Sequence, residues 1–278
     1  MAQARKPKRV SKAVLNKLKQ VSTPTITTQL MSNHGLHNVS LRNVLPINPS
    51  LGRFAGPAFT LRYVPLREDL HPQQYMSHPA NLMTPAVEEI PAGSVMVMDS
   101  NARNDVGLLG GNILMRLKVR GIAAAVTDGG MRDLPEMREL DMPVCCTAIA
   151  APPSFAKLML VDIQNVITCG GVPIYPGDII VGDSDGTVAI PAEFAESVAD
   201  GGLAQDHIEG WVNRRLAAGD PMPGLYPPCD KSRARYENGL PLASLTTTSR
   251  GVQVLGGQKS WRKSGQNSGR SSGSKAFT

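Results

Sequence analysis

An arginine followed directly by an aspartate closes the run Thr127-Asp128-Gly129-Gly130-Met131-Arg132-Asp133. The Arg132 guanidinium is a planar fork that grips a carboxylate at two points. The Asp133 carboxylate is a hard oxygen ligand of the kind Mg²⁺ takes one or two at a time, with water completing the shell. A second glycine pair, Gly110-Gly111, precedes Asn112 and Ile113 at the head of an apolar helical pattern. Glycines there let backbone amides approach an anion, and a helix N-terminus favours negative charge. Together the two loops can bind a small 2-oxo acid on a divalent metal. Asp133 has a second reading. In Asp133-Leu134-Pro135-Glu136 it also fits a helix N-cap with a capping-box glutamate three residues on, and spacing alone leaves both open. Gly129-Gly130 also fits a plain turn, and Pro176-Gly177-Asp178 and Ser184-Asp185-Gly186 read as turns.

Such loops work only at the ends of strands, and the pattern around them supplies strands. Val95 to Asp99, Ile122 to Thr127 and Pro143 to Thr147 are short apolar runs. Between them, Gly107 to Arg120 carries Leu109, Ile113 and Leu117 on one helical face, and a second helix runs from Leu134 to about Leu140. Strand–helix–strand–helix–strand predicts a parallel α/β core, with both loops at carboxyl strand ends, where open α/β sheets build sites. Before the core, Val10, Val14 and Leu18 predict a short amphipathic helix. Thr23-Pro24 reads as a helix start with Thr23 as cap. Phe54 to Arg62 reads as a strand and Pro79 to Glu89 as a helix. After the core, Ile167 to Ile174 precedes two apolar runs, Ile179 to Asp183 and Thr187 to Ile190, whose intervening Asp-Gly is a hairpin signal. The residues from Pro191 through Trp211 predict a terminal helix pair.

The chain has 278 residues and a net charge of +6, which points toward nucleic acid until the charge is located. Residues 1–20 hold seven bases and no acid, and 229–278 hold nine bases against two acids. The remaining 21–228 keep thirteen bases against 21 acids. The body is acidic, which argues against a duplex-binding face on it, and polyanion contact is expected only through the termini, if at all. From Ser244 the chain is rich in Ser, Thr and Gly, the composition of a disordered tail, in which Trp261 could stack on a base. No apolar stretch is long enough for a membrane span. The first segment lacks the apolar core of a secretory signal, and four cysteines without a C-x-x-C pair fit a reducing cytosol. The five histidines form no zinc-like set. Gly251 and Gly256 have a P-loop's spacing, but Gly257 stands where its lysine should be. No G-x-G-x-x-G occurs.

The body resembles the family named for the regulator of ribonuclease E activity A. That family also contains metal-dependent 4-hydroxy-4-methyl-2-oxoglutarate aldolases. The resemblance rests on Phe54-Ala55-Gly56-Pro57, Pro91-Ala92-Gly93, Gly110-Gly111, Asp128-Gly129-Gly130-Met131-Arg132-Asp133, Met142-Pro143-Val144, Pro176-Gly177-Asp178 and Asp183-Ser184-Asp185-Gly186. It implies an α/β/β/α sandwich at 22–228, a single domain between a flexible basic segment at 1–21 and a basic, largely disordered tail at 229–278. It implies a homotrimer or hexamer, cytoplasmic, acting as a lyase on a 2-oxo acid. Arg132 would then bind substrate and Asp133 hold Mg²⁺ or Mn²⁺. The loop Gly110-Gly111 with the amides of Asn112 and Ile113 would hold the substrate carboxylate. The reaction implied is retro-aldol cleavage to pyruvate or oxaloacetate decarboxylation. One departure stands out: the family's aldolases have an aspartate 21 residues before the arginine, where this chain has Gly111, and Asp105 is the candidate substitute. The alternative the resemblance offers is a non-catalytic, protein-binding regulator of the ribonuclease E inhibitor type.

Overall fold

The computed structural model describes residues 9–70, 78 and 81–239. The chain divides into two units, Met1–Gly239 and Leu240–Thr278, and every described residue belongs to the first. The Ser/Thr/Gly-rich stretch, Gly251, Gly256 and Trp261 lie outside the described residues, as do 1–8 and the first two residues of the helix expected from Pro79.

In chain order, helices α1 (Lys12–Leu18) and α2 (Thr23–His34) precede the short strands β1 (Ser40–Leu41) and β2 (Leu45–Pro46) and the long strand β3 (Phe54–Pro65). The centre alternates through α3 (Met83–Glu89), β4 (Val95–Asp99), α4 (Gly111–Val119), β5 (Ala124–Thr127), β6 (Gly130–Met131), α5 (Leu134–Glu139), β7 (Val144–Cys146) and β8 (Ala148–Ile149). Then come β9 (Leu158–Ile163), a hairpin of β10 (Ile167–Cys169) and β11 (Val172–Ile174), and a second of β12 (Ile179–Asp183) and β13 (Gly186–Ile190). Helices α6 (Ala195–Ala217) and α7 (Asp230–Glu237) follow.

The neighbours β4, β5 and β7 run parallel, as the strand–helix pattern predicts. β3 is the pivot of the sheet. Its start pairs antiparallel with β12, Gly56 opposite Ile180. Its middle runs parallel to β4, Thr60 opposite Val97. Its end pairs antiparallel with β9 beyond an irregularity at Arg62/Tyr63. The sheet order is β1-β13-β12-β3-β4-β5-β7-β2, and the two halves meet face to face.

Side-chain alternation sorts the core. Met96 and Met98 of β4 pack with Leu114 and Leu117 of α4 and Met137 of α5. Val95, Val97, Ala124, Val126 and Cys145 pack with Ile180 and Ala189 of the other half. Val181, Val188 and Ile190 pack with Leu18 of α1, Ile26 and Leu30 of α2 and Val198 of α6. Successive strand residues point to opposite faces, so strands covered on both sides must be apolar throughout. That is why Val95–Met98 and Ile179–Val181 are unbroken apolar runs. The layers are helix, sheet, sheet, helix, the expected α/β/β/α order.

Several local expectations shift. The cap of α2 is Ser22, whose Oγ accepts the Thr25 N–H, and Thr23 is already helical. α4 begins at Gly111 because Gly107 to Leu109 pair with neighbouring loops, and Gly110 is the N-cap. The expected terminal pair is one helix, α6. Its Gly202 permits a close approach instead of a break, since a Cβ there would meet Val21 Cγ1 at 2.5 Å. The tail expected from Cys229 starts later: α7 is helical, with Tyr236 edge-on to Trp211 at 6.0 Å. The amphipathic helix expected from Val10, Val14 and Leu18 is present as α1. Ser11 caps α1, and Val14 and Leu18 are buried. Among the described residues no helix is long and apolar enough to cross a membrane.

Candidate active site

Both glycine loops leave the carboxyl ends of the parallel strands β4 and β5. Backbone hydrogen bonds lace them together. Leu108 N–H donates to Gly130 O at 2.9 Å, Gly130 N–H to Arg103 O at 3.1 Å, and Arg132 N–H to Leu109 O at 3.1 Å. β6 pairs parallel with β8, which holds the far side. Asp128 serves this scaffold. Its buried carboxylate accepts the Ser100 N–H at 3.0 Å, the Ser100 hydroxyl at 2.9 Å and the Gly170 N–H at 3.3 Å.

The lacing carries Arg132 and Asp133 to the N-terminus of α4. Asp133 occupies the N-cap position of α5, but with φ 66° and ψ 54°, and its side chain makes no cap bond. A capping residue normally has an extended backbone that turns its side chain onto the amides of its own helix. Left-handed Asp133 instead sends Oδ2 to the Gly111 N–H at 2.9 Å, while Oδ1 accepts Arg132 Nε at 3.3 Å. The capping-box reading is therefore corrected. Left-handed backbone in a residue other than glycine concentrates at functional sites.

The Gly111 N–H above all, and then Arg132, hold the Asp133 carboxyl below the usual range against the opposing effect of desolvation. The glycine pair lies in close contact with the Arg-Asp loop and the start of α5. A Cβ on Gly110 would run into Asp133 Oδ2, and one on Gly111 would meet Glu136 Cβ and Cγ at 3.2 and 3.3 Å. Gly111 and Glu136 thus share one volume at the place the resemblance gives to an aspartate.

A cavity of about 430 Å³ opens here, lined by Gly110, Asn112, Ile113, Arg132 and Asp133 together. Gly111 does not line it. Its N–H is engaged by Asp133. Asp105 does not replace the upstream aspartate. It is outside the lining, bound by Arg103 at 2.9 and 3.0 Å and by Lys157 at 2.7 Å. Those hydrogen bonds hold its carboxyl far below the ordinary range. Sequence reasoning missed the rest of the wall: Tyr63 of β3, Leu82 and Met83 at the start of α3, Phe155, and Leu158 to Leu160 of β9. Their types and spacing mark them only as strand or helix residues, and nothing local distinguishes a wall from a core.

The residues fit a magnesium-type ion. Among the described residues no cluster of three or more His, Cys, Asp and Glu forms, which is not what a closed zinc site needs. One ionised carboxylate, 37% exposed, with spare acceptor capacity on both oxygens, matches an ion that keeps most of its water. Thiol chemistry is remote: burial pushes Cys145 up to about 12 and Cys146 up to about 11.

A family model described as RraA-like: Aldolase/RraA matches residues 23–189, which contain the whole loop pair. A Halalkalibacterium halodurans protein provisionally named 4-hydroxy-4-methyl-2-oxoglutarate aldolase is 34% identical over 178 residues, 63% of this chain and 77% of its own. A Thermus thermophilus protein named 4-hydroxy-4-methyl-2-oxoglutarate aldolase is 33% identical over 122 residues, 44% of this chain and 73% of its own. Among solved structures, Streptomyces coelicolor RraAS2 is described as an unusual member of the RNase ES inhibitor RraA protein family. It superimposes with a TM-score of 0.68 at 28% identity, over 74% of this chain and 100% of that one. With the match covering the parallel core, both glycine loops and the Arg-Asp pair, the chain belongs to the RraA-like family.

Proposed function

We propose that this protein is a divalent-metal lyase that cleaves a 4-hydroxy-2-oxo acid to pyruvate and a carbonyl compound, and decarboxylates oxaloacetate by the same route. The observation that carries the reading is Asp133, an ionised carboxylate held in left-handed backbone between Arg132 and the first turn of α4. The aldolase names of the relatives support it.

The substrate carboxylate binds at the first turn of α4, where the amides of Asn112 and Ile113 are ones a helix leaves without an internal partner. Arg132 supplies the charged fork. Asp133 would hold Mg²⁺ or Mn²⁺, which when bound offsets negative charge growing on the 2-oxo oxygen. Cleavage breaks the C3–C4 bond. Its electron pair stays with C3 and spreads to the C2 oxygen as an enolate, which Arg132 stabilises. The C4 hydroxyl gives up its proton and becomes the carbonyl of the released fragment. A proton delivered to C3 completes the methyl group of pyruvate. The Asn112 side chain orients the water that carries these protons, since an amide can donate and accept hydrogen bonds but cannot serve as the base. With oxaloacetate, CO₂ leaves in place of the carbonyl fragment and the same enolate results.

The test is pyruvate release from oxaloacetate with and without Mg²⁺, in wild type and Asp133→Ala. The expected result is metal-dependent turnover that falls at least ~100-fold in the variant, the scale of losing one charge-stabilising group. Metal-independent or mutation-insensitive turnover overturns the reading. The likeness to RraAS2 favours a second reading, a protein-binding regulator. Capture of an E-type ribonuclease at moderate salt, without lyase activity, would establish that one instead. Comparison with a chain lacking 1–8 and 240–278 would show whether the basic ends mediate the capture.

A further inference from the structure

Ser100 follows β4 directly and Asp128 follows β5 directly. Both are buried, and neither is part of the cavity wall. A buried carboxylate is costly unless donors engage it, and three converge on Asp128. Oδ1 takes the N–H and the hydroxyl of Ser100, and Oδ2 takes the Gly170 N–H from the turn of the β10–β11 hairpin. The bonds beyond Ser100 lead to Arg132. Ser100 O accepts the Arg103 N–H at 3.2 Å, closing a turn whose middle residues, Asn101 and Ala102, are both left-handed, with φ 57° and 56°. Such backbone is resisted by side chains, that of Ala102 above all. Asp99 steadies the turn by accepting the Asn101 N–H at 2.9 Å. At its far end Arg103 O accepts the Gly130 N–H, two residues before Arg132. Space there is as tight as the bonding. A Cβ on Gly129 would run into Ser100 Oγ, and one on Gly107 would meet Arg132 Cβ at 2.6 Å.

We infer that Asp128 is a positioning residue for Arg132, acting through the Ser100–Arg103 turn. The inference rests on the lyase reading for what Arg132 does and adds the residue that aims it. Asp128, Ser100, Arg103 and Gly130 form a closed ring that fixes the start of the Arg-Asp loop from behind. A carboxylate suits the ring because it accepts at both oxygens, and two of its three donors are backbone N–H groups that cannot turn away. Asparagine has the same outline, but its NH₂ would face either the Ser100 donors or the Gly170 N–H, donor against donor. The turn must shift to relieve that clash, and Gly130 and Arg132 shift with it. Moving a substrate-positioning group by about 1 Å can cost on the order of 100-fold in rate.

The experiment is a double-mutant cycle of Asp128→Asn with Arg132→Gln in the full chain, read as kcat/KM for oxaloacetate with Mg²⁺ per folded molecule. Asp128→Asn alone should lower kcat/KM by about tenfold or more. In the Arg132→Gln background it should cost no more than about twofold, because nothing is left for it to aim. A role confined to stability would cost the same in both backgrounds. Ser100→Ala keeps the carboxylate and removes one donor. It is the milder variant, expected to lose roughly fivefold with the same non-additivity. A second readout needs no turnover. Arg132 Nε donates to Asp133 Oδ1, and the Arg132 Nε–H resonance in ¹⁵N NMR should shift or broaden in both Asp128→Asn and Ser100→Ala. Equal losses in the two Arg132 backgrounds overturn the inference, as does an unaltered Nε–H resonance in the folded variants. If the wild type releases no pyruvate, the lyase reading falls, and the resonance alone then decides the positioning role.

Discussion

Asp133 combines a backbone conformation that side chains resist with a carboxylate that two donors hold in place. The left-handed region costs an L-residue about 1–2 kcal/mol, least for Asp and Asn and nothing for Gly. If the side chain contributes function instead of a cap, Asp133→Gly should stay within about 1 kcal/mol of wild-type stability, relief of the left-handed strain offsetting the lost carboxylate bonds and the added chain entropy, while abolishing metal-dependent turnover. Asp133→Ala should lose about 1 kcal/mol. Urea unfolding beside the oxaloacetate assay checks both. The acid titration belongs to the same residue. Its carboxyl is lowered chiefly by the Gly111 N–H, with Arg132 adding to it. A lowered carboxyl contributes stability that is complete above the unfolded value, about pH 3.9, and lost as pH falls through the lower folded value. Arg132→Gln should move the Asp133 midpoint upward, toward the ordinary value, as read by carboxyl-carbon NMR. At this scale the Arg-Asp pair and the glycines were legible as residue types. Which bonds Asp133 makes was not, because its partner Gly111 lies 22 positions away.

At the scale of elements, the N-terminus of α2 shows how polar groups enter the outer core. Asp183, at the end of β12, accepts the Thr23 N–H at 2.9 Å and the Thr23 hydroxyl at 2.6 Å. Asp206 of α6 accepts the Ser22 N–H at 3.1 Å and the Thr25 hydroxyl at 2.5 Å. Two carboxylates at one helix start suit its positive end and tie three elements together. Asp183 is 6% exposed, so Asp183→Ala should leave buried Thr23 donors unsatisfied and lower stability by about 2–3 kcal/mol. Activity per folded molecule should stay unchanged, because the site is on the other half of the sheet. Chemical denaturation with the lyase assay tests this. The hairpin at Asp183–Gly186 was readable from turn chemistry. The shift of the α2 cap from Thr23 to Ser22 was not, because both residues are capping types and only geometry separates them.

For the molecule as a whole, the third core layer depends on segments outside residues 23–189. α1 and α6 supply Val14, Leu18 and Val198 to it, and Val21 joins them from the link to α2. Leu18 and Val21 are fully buried and Val14 nearly so. Each such side chain contributes about 1.5–3 kcal/mol. Removing residues 1–21 should therefore lower Tm by about 10 °C or more, at about 2–4 °C per kcal/mol for a body of this size. Calorimetry of the shortened chain against the full one checks it. The basic segment expected to be flexible, in which Val10, Val14 and Leu18 predict an amphipathic helix, is in its second half part of the core. The charge of its lysines and the burial of its valines and leucine coexist because a helix can present one face to water and the other to α6.

The amino-acid sequence by itself determined the parallel centre, the two glycine loops at its strand ends and the Arg-Asp pair between them. Those features rest on periodicity and on turn chemistry, which act between near neighbours and so survive in a linear reading. Tertiary structure decided what they become. Folding of the sheet across β3 brings Tyr63, the start of α3 and β9 against the Arg-Asp loop, and that union makes a cavity with one charged and one apolar region. It also decided that Asp133 serves α4 instead of capping α5. Both outcomes depend on groups distant in sequence and adjacent in space, which no local pattern encodes.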